Sequence, residues 1–595
     1  MSPREAAPQS TPARRPIEQD RSGAARWLPL LGWLRHYDRP TFRRDLAAGF
    51  TVAVMLVPQS MAYAALAGMP PVTGLYAAVV PLVVYALLGT SGSLAVGPVA
   101  ITALMTSAAL APIAGGDPAK YAALAGLLAL LVGAVQLLMG TLRLGALVNF
   151  LSHSVLAGFT AAAAIVIAAS QLKDLLGLRA ERAETFPEII GSLWQAVGTA
   201  HGLTIAVSVA SIAALILFRR YASRLPGTLL VVAGVIVVSA AAGFGERGVQ
   251  ILAEVPRGLP VPDVPAIALS DVLALLPAAV AIALVSYMEG IAVAKALAAK
   301  ARQRVLPNQE LIAVGAANIS AGLFQAFPVA GGFSRSAVNF QAGSRTPVAT
   351  LVTAALVALT ALALTPAFYH LPAAVLAAIV VVAVLGLVDR TALLAAWRTR
   401  RSDGVTVAVT FLGTLLFGVE PGLGAGVAVS IGVFLLRSAR PHVAELGRVP
   451  GTAVYRNVER YAGLATDPQV AIVRVDGPLY FANAQFVEDW LLALAASRPQ
   501  LRTIVFDASA IGDADADGAH TVRDLLERLA DRGVELHVAT ARGPVRDLLT
   551  RAGVWRDLRS AGLVHADVSR ALDAAGVEPP LGGTPQEPRV AQHVE

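Results

Sequence analysis

The run Gly331-Gly332-Phe333-Ser334-Arg335-Ser336 sets an arginine within an otherwise apolar stretch. Its glycines let the chain turn, and Ser334 suits the N-cap of a short helix. Arg335 then falls in that helix's first turn, where free N–H groups and the helix dipole repel a cation. An arginine deep in a bilayer is costly unless it has a partner. Both costs vanish if the partner is an anion. The alternative is an Arg335 at the membrane surface, its side chain reaching lipid phosphate.

A second segment, Gly97-Pro98-Val99-Ala100, fits the facing wall of the same space. Pro98 suits the first helical position, where its missing N–H costs nothing. The N–H groups of Val99 and Ala100 would then point at the centre. Two opposed helix N-termini supply roughly half a charge each, and Arg335 brings the total to about +2. That balances a dianion and over-balances a monoanion.

Glu289 stands between Met288 and Gly290, well inside the apolar run from Val280 to Ala298. It is either a structural partner for a nearby arginine or amide, or a coupling group. Protonating it would remove a charge that repels a substrate anion, which is a physical route to proton–anion symport. Gln59 and Tyr63 are four apart, so one helical face carries both, just after Pro58, which can break the backbone. An amide and a phenol can donate to oxyanion oxygens, although polar side chains in spans also pack between helices. Glu420, before Pro421, reads as a loop residue.

Other chemistries find less support. The chain has no Cys, which excludes disulfides, thiolate metal sites and a Cys nucleophile. The His residues show no metal-ligand spacing, and His153 and His370 fall at span ends. Asp513, Asp515, Asp517 and Gly518 match the start of an EF-hand loop, with Asp524 where Glu is usual. A strand is expected before them instead of a helix, which argues against calcium. No metal, cofactor or enzymatic constellation is therefore expected. The formal charge of +7 is nearly all arginine, scattered at the ends of apolar runs. A nucleic-acid binder would gather it on one face.

The elements that must position these residues follow from composition. Of the 595 residues 56% are apolar and 15% charged, against about 25% charged in soluble proteins. The excess is too large for soluble cores and implies a polytopic membrane protein with one soluble part. Residues 1–25 read as a disordered tail and 26–440 as the membrane domain. Fourteen apolar runs stand at 47–66, 73–89, 97–111, 121–140, 152–172, 202–218, 227–243, 272–298, 309–325, 333–342, 347–366, 372–388, 404–417 and 421–436. Crossing a bilayer takes about 20 residues, so 97–111 and 333–342 suggest half-helices or re-entrant loops. They are third in each set of seven. Short interrupted segments at matching positions suggest a repeat transporter with a central site, inverted because seven is odd.

With the N-terminus inside, thirteen Lys or Arg residues fall in inner loops, from Arg143 and Arg224 to Arg345 and Arg401. Six, including Arg182, fall outside. This bias predicts cytoplasmic termini in a bacterial-type inner membrane. Beyond 449 strands and helices alternate: strands at 470–475, 503–506 and 534–539, and helices at 485–496, 518–530 and 544–551. An α/β domain is expected over 449–577, followed by a disordered tail at 578–595.

The run Pro58-Gln59-Ser60-Met61-Ala62-Tyr63-Ala64 through Gly74-Leu75-Tyr76 resembles the sulfate permease (SulP) family, relatives of the animal anion exchangers that include prestin. So do Gly97-Pro98-Val99-Ala100, Glu289 to Ala294, Asn308-Gln309-Glu310-Leu311 and Ser334-Arg335-Ser336-Ala337. The resemblance implies 7+7 inverted repeats, a core domain moving elevator-like against a gate domain, and a homodimer. It implies an anion site formed by Gln59, Tyr63, Val99, Ala100, Phe333, Ser334 and Arg335, with Glu289 as the proton-coupling group. Sodium–bicarbonate members favour Asp there and Thr one turn on. Glu289 and Val293 stand at those positions here, which argues against a sodium site.

The soluble part resembles a STAS domain through Ile504-Val505-Phe506-Asp507 and Asp515-Ala516-Asp517-Gly518-Ala519. Some STAS domains carry a phosphorylated Ser or Thr where Asp517 stands. A cytoplasmic protein partner of this domain is a further implication. The expected function is proton-coupled import of sulfate or a similar small oxyanion. Bicarbonate or C4-dicarboxylate transport, passive anion conduction, and a STAS regulator merely tethered by its spans are the alternatives.

Overall fold

Side-chain oxygens begin several helices of this chain by accepting first-turn N–H groups. Asp38 accepts from Thr41, Asp117 from Ala119 and Lys120, Ser152 from Val155, and Asp389 from Thr391 and Ala392. Glycines in the left-handed region end others, at Gly115, Gly177 and Gly243. A computed structural model describes residues 28–35, 37–145, 152–180, 183, 185–222, 226–264, 268–385, 388–577 and 589–590. The expected N-terminal tail, Arg182 and Arg224 lie outside the described residues. So does the expected C-terminal tail, except that Arg589–Val590 forms a strand there.

The first unit runs to Ser430. It contains α1 (Pro29–Leu34), α2 (Arg39–Leu66), α3 (Pro71–Ala77), α4 (Val80–Leu88), β1 (Val96–Gly97), α5 (Ala100–Ala114), α6 (Pro118–Thr141), α7 (His153–Ser170), α8 (Leu172–Leu176) and α9 (Phe186–Ala196). There follow α10 (Gly202–Tyr221), α11 (Gly227–Ala242), α12 (Leu269–Ala301), α13 (Pro307–Leu323), β2 (Ala330–Gly331), α14 (Phe333–Gln341) and α15 (Val348–Leu359). Last come α16 (Ala373–Val384), α17 (Arg390–Thr399), α18 (Arg401–Phe417) and α19 (Val419–Ala439), which runs into the second unit.

Each of the expected apolar runs is met by these helices, the run at 73–89 by two of them, α3 and α4. Among the described residues, eight helical stretches are long and apolar enough to cross a membrane: 39–66, 71–88, 118–141, 153–176, 202–221, 269–301, 348–368 and 419–439. The helices over 100–114, 227–242 and 373–384 are apolar but shorter, so length alone does not yield fourteen crossings. The two expected half-helices are α5, of 15 residues, and α14, of nine. At 1.5 Å per residue α14 rises only about 13 Å, less than half a bilayer core. Glu420 lies in the first turn of α19, a helical position in place of the expected loop.

Helices from the two halves interlock. α6 packs along α13, α7 along α18, and α2 along α15. Glycines bring α6 and α13 to backbone contact: a Cβ at Gly133 would stand 2.7 Å from the Gly315 carbonyl oxygen. Gln136 of α6 ties three elements together. Its amide donates to Ser286 of α12 (2.9 Å) and accepts from Asn318 of α13 (3.0 Å). Asn318 in turn brackets the N–H and C=O of Val329, just ahead of β2.

The second unit holds β3 (His442–Arg448), β4 (Tyr455–Asn457), β5 (Tyr461–Ala462), β6 (Val470–Asp476), α20 (Ala484–Ser497), β7 (Thr503–Asp507) and α21 (Ala516–Ala530). It continues with β8 (Glu535–Ala539), α22 (Gly543–Arg551), α23 (Val554–Ser560), β9 (Val564–His565), α24 (Val568–Ala574) and β10 (Arg589–Val590). Its main sheet has the order β4-β3-β6-β7-β8-β9. β3 is antiparallel to both neighbours and the remaining pairs are parallel. The expected three strands and three helices all form. The sheet also takes in β3, ahead of the expected start at 449. His442, Glu445 and Arg448 hide its alternation, while Ala444 and Leu446 are buried. β10 pairs with β5, at odds with disorder at those two positions.

Candidate functional site

Two two-residue strands decide where the half-helices begin. Val96 pairs with Gly331 and Gly97 with Ala330, antiparallel. Gly332 N–H donates to the Ala95 carbonyl (3.0 Å), and Ser336 Oγ accepts from Ala95 N–H (2.9 Å) and donates to the Gly332 carbonyl (2.6 Å). This ladder sets α5 and α14 on opposite sides of one space, N-termini inward. Val99 and Gly332 are the N-caps, and neither end has a side-chain cap. The first-turn N–H groups are therefore open to a ligand.

Two expected helix starts shift. Pro98 is not the first helical residue, because the chain stays extended through Val99 and turns at Ala100. Gly97 is at φ +149°, a backbone conformation that favours glycine. Ser334 is not the N-cap: the bonds that hold Gly332 start the helix at Phe333. Ser334 is an exposed residue of the first turn, and Phe333 is exposed as well.

Arg335 is 3% exposed, in the first turn of α14. Its Nη1 donates to the Pro98 carbonyl (2.5 Å), while Nε and Nη2 are buried with no hydrogen-bond partner. The guanidinium lies over Gly332 and beside Gly97. A Cβ on Gly332 would come within 2.9 Å of Nη2, and one on Gly97 within 3.5 Å. Val99 and Ala100 are buried as well.

Gln59 and Tyr63 both lie buried on α2, and Gln59 Oε1 has no partner. α2 runs unbroken through Pro58, against the expectation of a break, because the packed helix tolerates one lost backbone bond. Tyr63 is within electrostatic range of both Arg335 and Glu289. Glu289 projects from α12 next to Gly290, whose missing side chain lets α12 approach Gly331 of β2. It is half-buried and, among the described residues, makes no hydrogen bond or ion pair. The expected residues thus come from four elements, α2, α5, α12 and α14, onto one locus.

Sequence reasoning missed the carboxylates that brace this locus. Glu310 of α13 is 1% exposed and accepts from Tyr85 Oη (2.9 Å), Thr90 N (2.7 Å), Thr90 Oγ1 (2.6 Å) and Ser91 N (3.1 Å). It fixes the segment that leads into β1. Asp45 of α2 is fully buried and accepts from Tyr37, Arg345 N and Thr346. It fixes the chain after α14. The sequence signal was an acid at the edge of each apolar run, which reads equally well as a solvated end. In the soluble unit Asp515 caps α21 through Gly518 N and also accepts from Phe481 N. The acidic loop there is a helix cap with a strand before it, not an EF-hand.

A model of the sulfate permease family matches residues 42–410, and a model of the STAS domain matches residues 461–571. The probable sulfate transporter 4.2 of Arabidopsis thaliana is 39% identical over 550 residues, covering 89% of this chain and 80% of that protein. A probable sulfate transporter of Mycobacterium tuberculosis (strain CDC 1551 / Oshkosh) is 38% identical over 532 residues, covering 89% and 95%. The solved murine Slc26a9 anion transporter, in its inward-facing state, aligns with a TM-score of 0.87 over 96% of each chain at 24% identity. The transmembrane domain of the cyanobacterium bicarbonate transporter BicA aligns at 0.57 over 67% of this chain and 99% of that one, at 22% identity.

Proposed function

This chain belongs to the sulfate permease family, and we propose that it is a secondary active transporter importing sulfate together with protons. Membership makes it an integral, multi-pass membrane protein of anion transport with a STAS domain, and not an enzyme. The observation that carries the finer reading is Arg335, buried with Nε and Nη2 unpartnered between two uncapped helix N-termini. In that setting a dianion supplies what the guanidinium and the N–H groups lack. Gln59 and Tyr63 donate from α2, Val99 and Ala100 from α5, and Phe333 and Ser334 line the α14 end.

Glu289 is the proton carrier in this reading. Its charge repels the anion when ionised and is removed on protonation. The locus moves as one body against the remaining helices, since the β1–β2 ladder and the Glu310 and Asp45 braces tie its parts together. The arginine distribution supports cytoplasmic termini in a bacterial-type cytoplasmic membrane. A homodimer and a cytoplasmic partner of the STAS domain belong to the same proposal. Bicarbonate is the second reading, favoured by the likeness to the BicA transmembrane fold; C4-dicarboxylate transport and passive conduction use the same site.

Labelled sulfate uptake into proteoliposomes, acid outside and free of sodium, tests the proposal. Accumulation that collapses with a protonophore supports it. Absent sulfate uptake together with bicarbonate or succinate uptake in the same vesicles overturns the substrate. Sulfate equilibration unaffected by the pH gradient overturns the coupling.

A further inference from the structure

Two short amphipathic helices stand at corresponding places in the two halves, α9 after the fifth apolar run and α17 after the twelfth. Each leaves a tryptophan in the open. On α9 the exposed residues include Ile190 and Trp194 at 79%, with exposed Val197 just past its end, and residues 186–199 hold no Lys or Arg. On α17 the exposed residues include Leu394 and Trp397, accompanied by Arg390 and Arg398, with Arg400 and Arg401 next in the chain.

The face of α17 follows from its spacing. Leu394 and Arg398 lie four and eight positions after Arg390, and Trp397 three after Leu394, so the four share one side. Ala392, Leu393 and Ala396 are half-buried on the other side, which packs against α18 and α7. Gly404 lets the Trp397 indole lie against α18; a Cβ there would run into the ring. The indole is thus held by the protein along one edge and open along the other. Among the described residues none of the four guanidiniums makes a hydrogen bond or ion pair, and Asp389 is occupied in capping its own helix. Four unpaired cations beside an exposed Leu and Trp, on a multi-pass membrane protein, are complementary to a lipid surface bearing negative headgroups. The same surface on α9, with no cation, lacks that complementarity.

We propose that α17 lies in the bilayer interface and concentrates anionic phospholipid headgroups around Arg390, Arg398, Arg400 and Arg401. Trp397 and Leu394 enter the acyl boundary, and the arginines reach back to phosphate. Each arginine near such a surface gives roughly a fivefold preference for anionic over neutral lipid.

Brominated acyl chains quench tryptophan on contact, so the full-length protein can be reconstituted in phosphatidylcholine carrying about a fifth of brominated lipid. The lipid is either phosphatidylglycerol or phosphatidylcholine. The Trp397 signal is the difference between the parent and Trp397→Phe. Expected is at least severalfold stronger quenching of that signal by phosphatidylglycerol. The variant Arg390→Gln/Arg398→Gln/Arg400→Gln/Arg401→Gln should bring the two lipids to equality while the Trp397 signal persists. Equal quenching in the parent, or a preference undiminished in the variant, overturns the headgroup assignment. A Trp397 signal untouched by either lipid overturns the interfacial placement.

Discussion

Arg335 Nη1 donates to the carbonyl oxygen of Pro98 at 2.5 Å, across 237 positions of sequence and from one half of the membrane unit to the other. The bond uses one of five guanidinium donors. It holds the side chain flat across the gap between α5 and α14, with Nε and Nη2 facing no acceptor. A group so placed is aimed before any ligand arrives, which lowers the ordering cost of binding.

Gly332→Ala should damage this aim without damaging the fold. Gly332 has φ −87°, which alanine adopts freely, but its Cβ would stand 2.9 Å from Nη2 and 3.1 Å from Cζ of Arg335. The guanidinium must move. Concentration dependence of sulfate uptake should show a KM raised roughly ten- to a hundredfold, with Tm nearly unchanged. An unchanged KM would mean that the position of the guanidinium does not matter.

Glu289→Gln should keep sulfate binding and lose the response of uptake to pH. Among the described residues the half-buried carboxylate has no hydrogen-bond or ion-pair partner to lose, so the amide breaks no ion pair there. Uptake rates from pH 5.5 to 8 in parent and variant decide this. A variant with the parent's pH profile removes Glu289 from the coupling step.

Glu310→Ala should be costly to stability. It strands four buried neutral donors on Tyr85, Thr90 and Ser91, at about 1–3 kcal/mol for each that finds no other acceptor. Glu310→Gln keeps an acceptor for Thr90 and Ser91 and should fall between the two. Thermal stability in detergent checks the order parent, Gln, Ala. An alanine variant as stable as the parent would mean that this brace bears no load.

His565 gives the soluble unit an acid-sensitive corner. Burial, with His537 at 2.9 Å from it, holds its imidazole below the usual range, against the opposing pull of Asp567. The folded state therefore binds this proton less readily than the unfolded state does. Stability is intact above about pH 6.5 and declines as pH falls through that value. Hydrogen exchange at the Val538 and Thr540 amides of the full-length protein, corrected for intrinsic rates, should speed up between pH 7.5 and 5.5. These amides donate to Leu563 and His565 across the β8–β9 edge. His565→Asn should flatten the change, and an unaltered pH response in that variant would assign it elsewhere.

Much of this architecture was legible because apolar runs and glycines are strong signals. The helices meet every expected run, and the short ones at 100–114 and 333–341 fall where the glycine motifs put them. Exact helix starts were not legible. Whether Pro98 or Ser334 opens a helix depends on the pairing of Val96 with Gly331, a contact between residues too distant for local pattern to reveal. Asp45 and Glu310 were missed for a related reason. Half of their partners are backbone N–H groups, of Arg345, Thr346, Thr90 and Ser91, and backbone donors leave no mark on a sequence. Strand β3 escaped notice because three charged or polar residues mask its buried Ala444 and Leu446.

The central claim is that an oxyanion sits between the ends of α5 and α14 on the free donors of Arg335. Equilibrium binding of labelled sulfate to the purified protein, compared with Arg335→Ala and Glu289→Gln, tests it most directly. The account predicts saturable binding in the parent and in Glu289→Gln, and none in a folded Arg335→Ala. Binding to Arg335→Ala with the parent's Kd would contradict it.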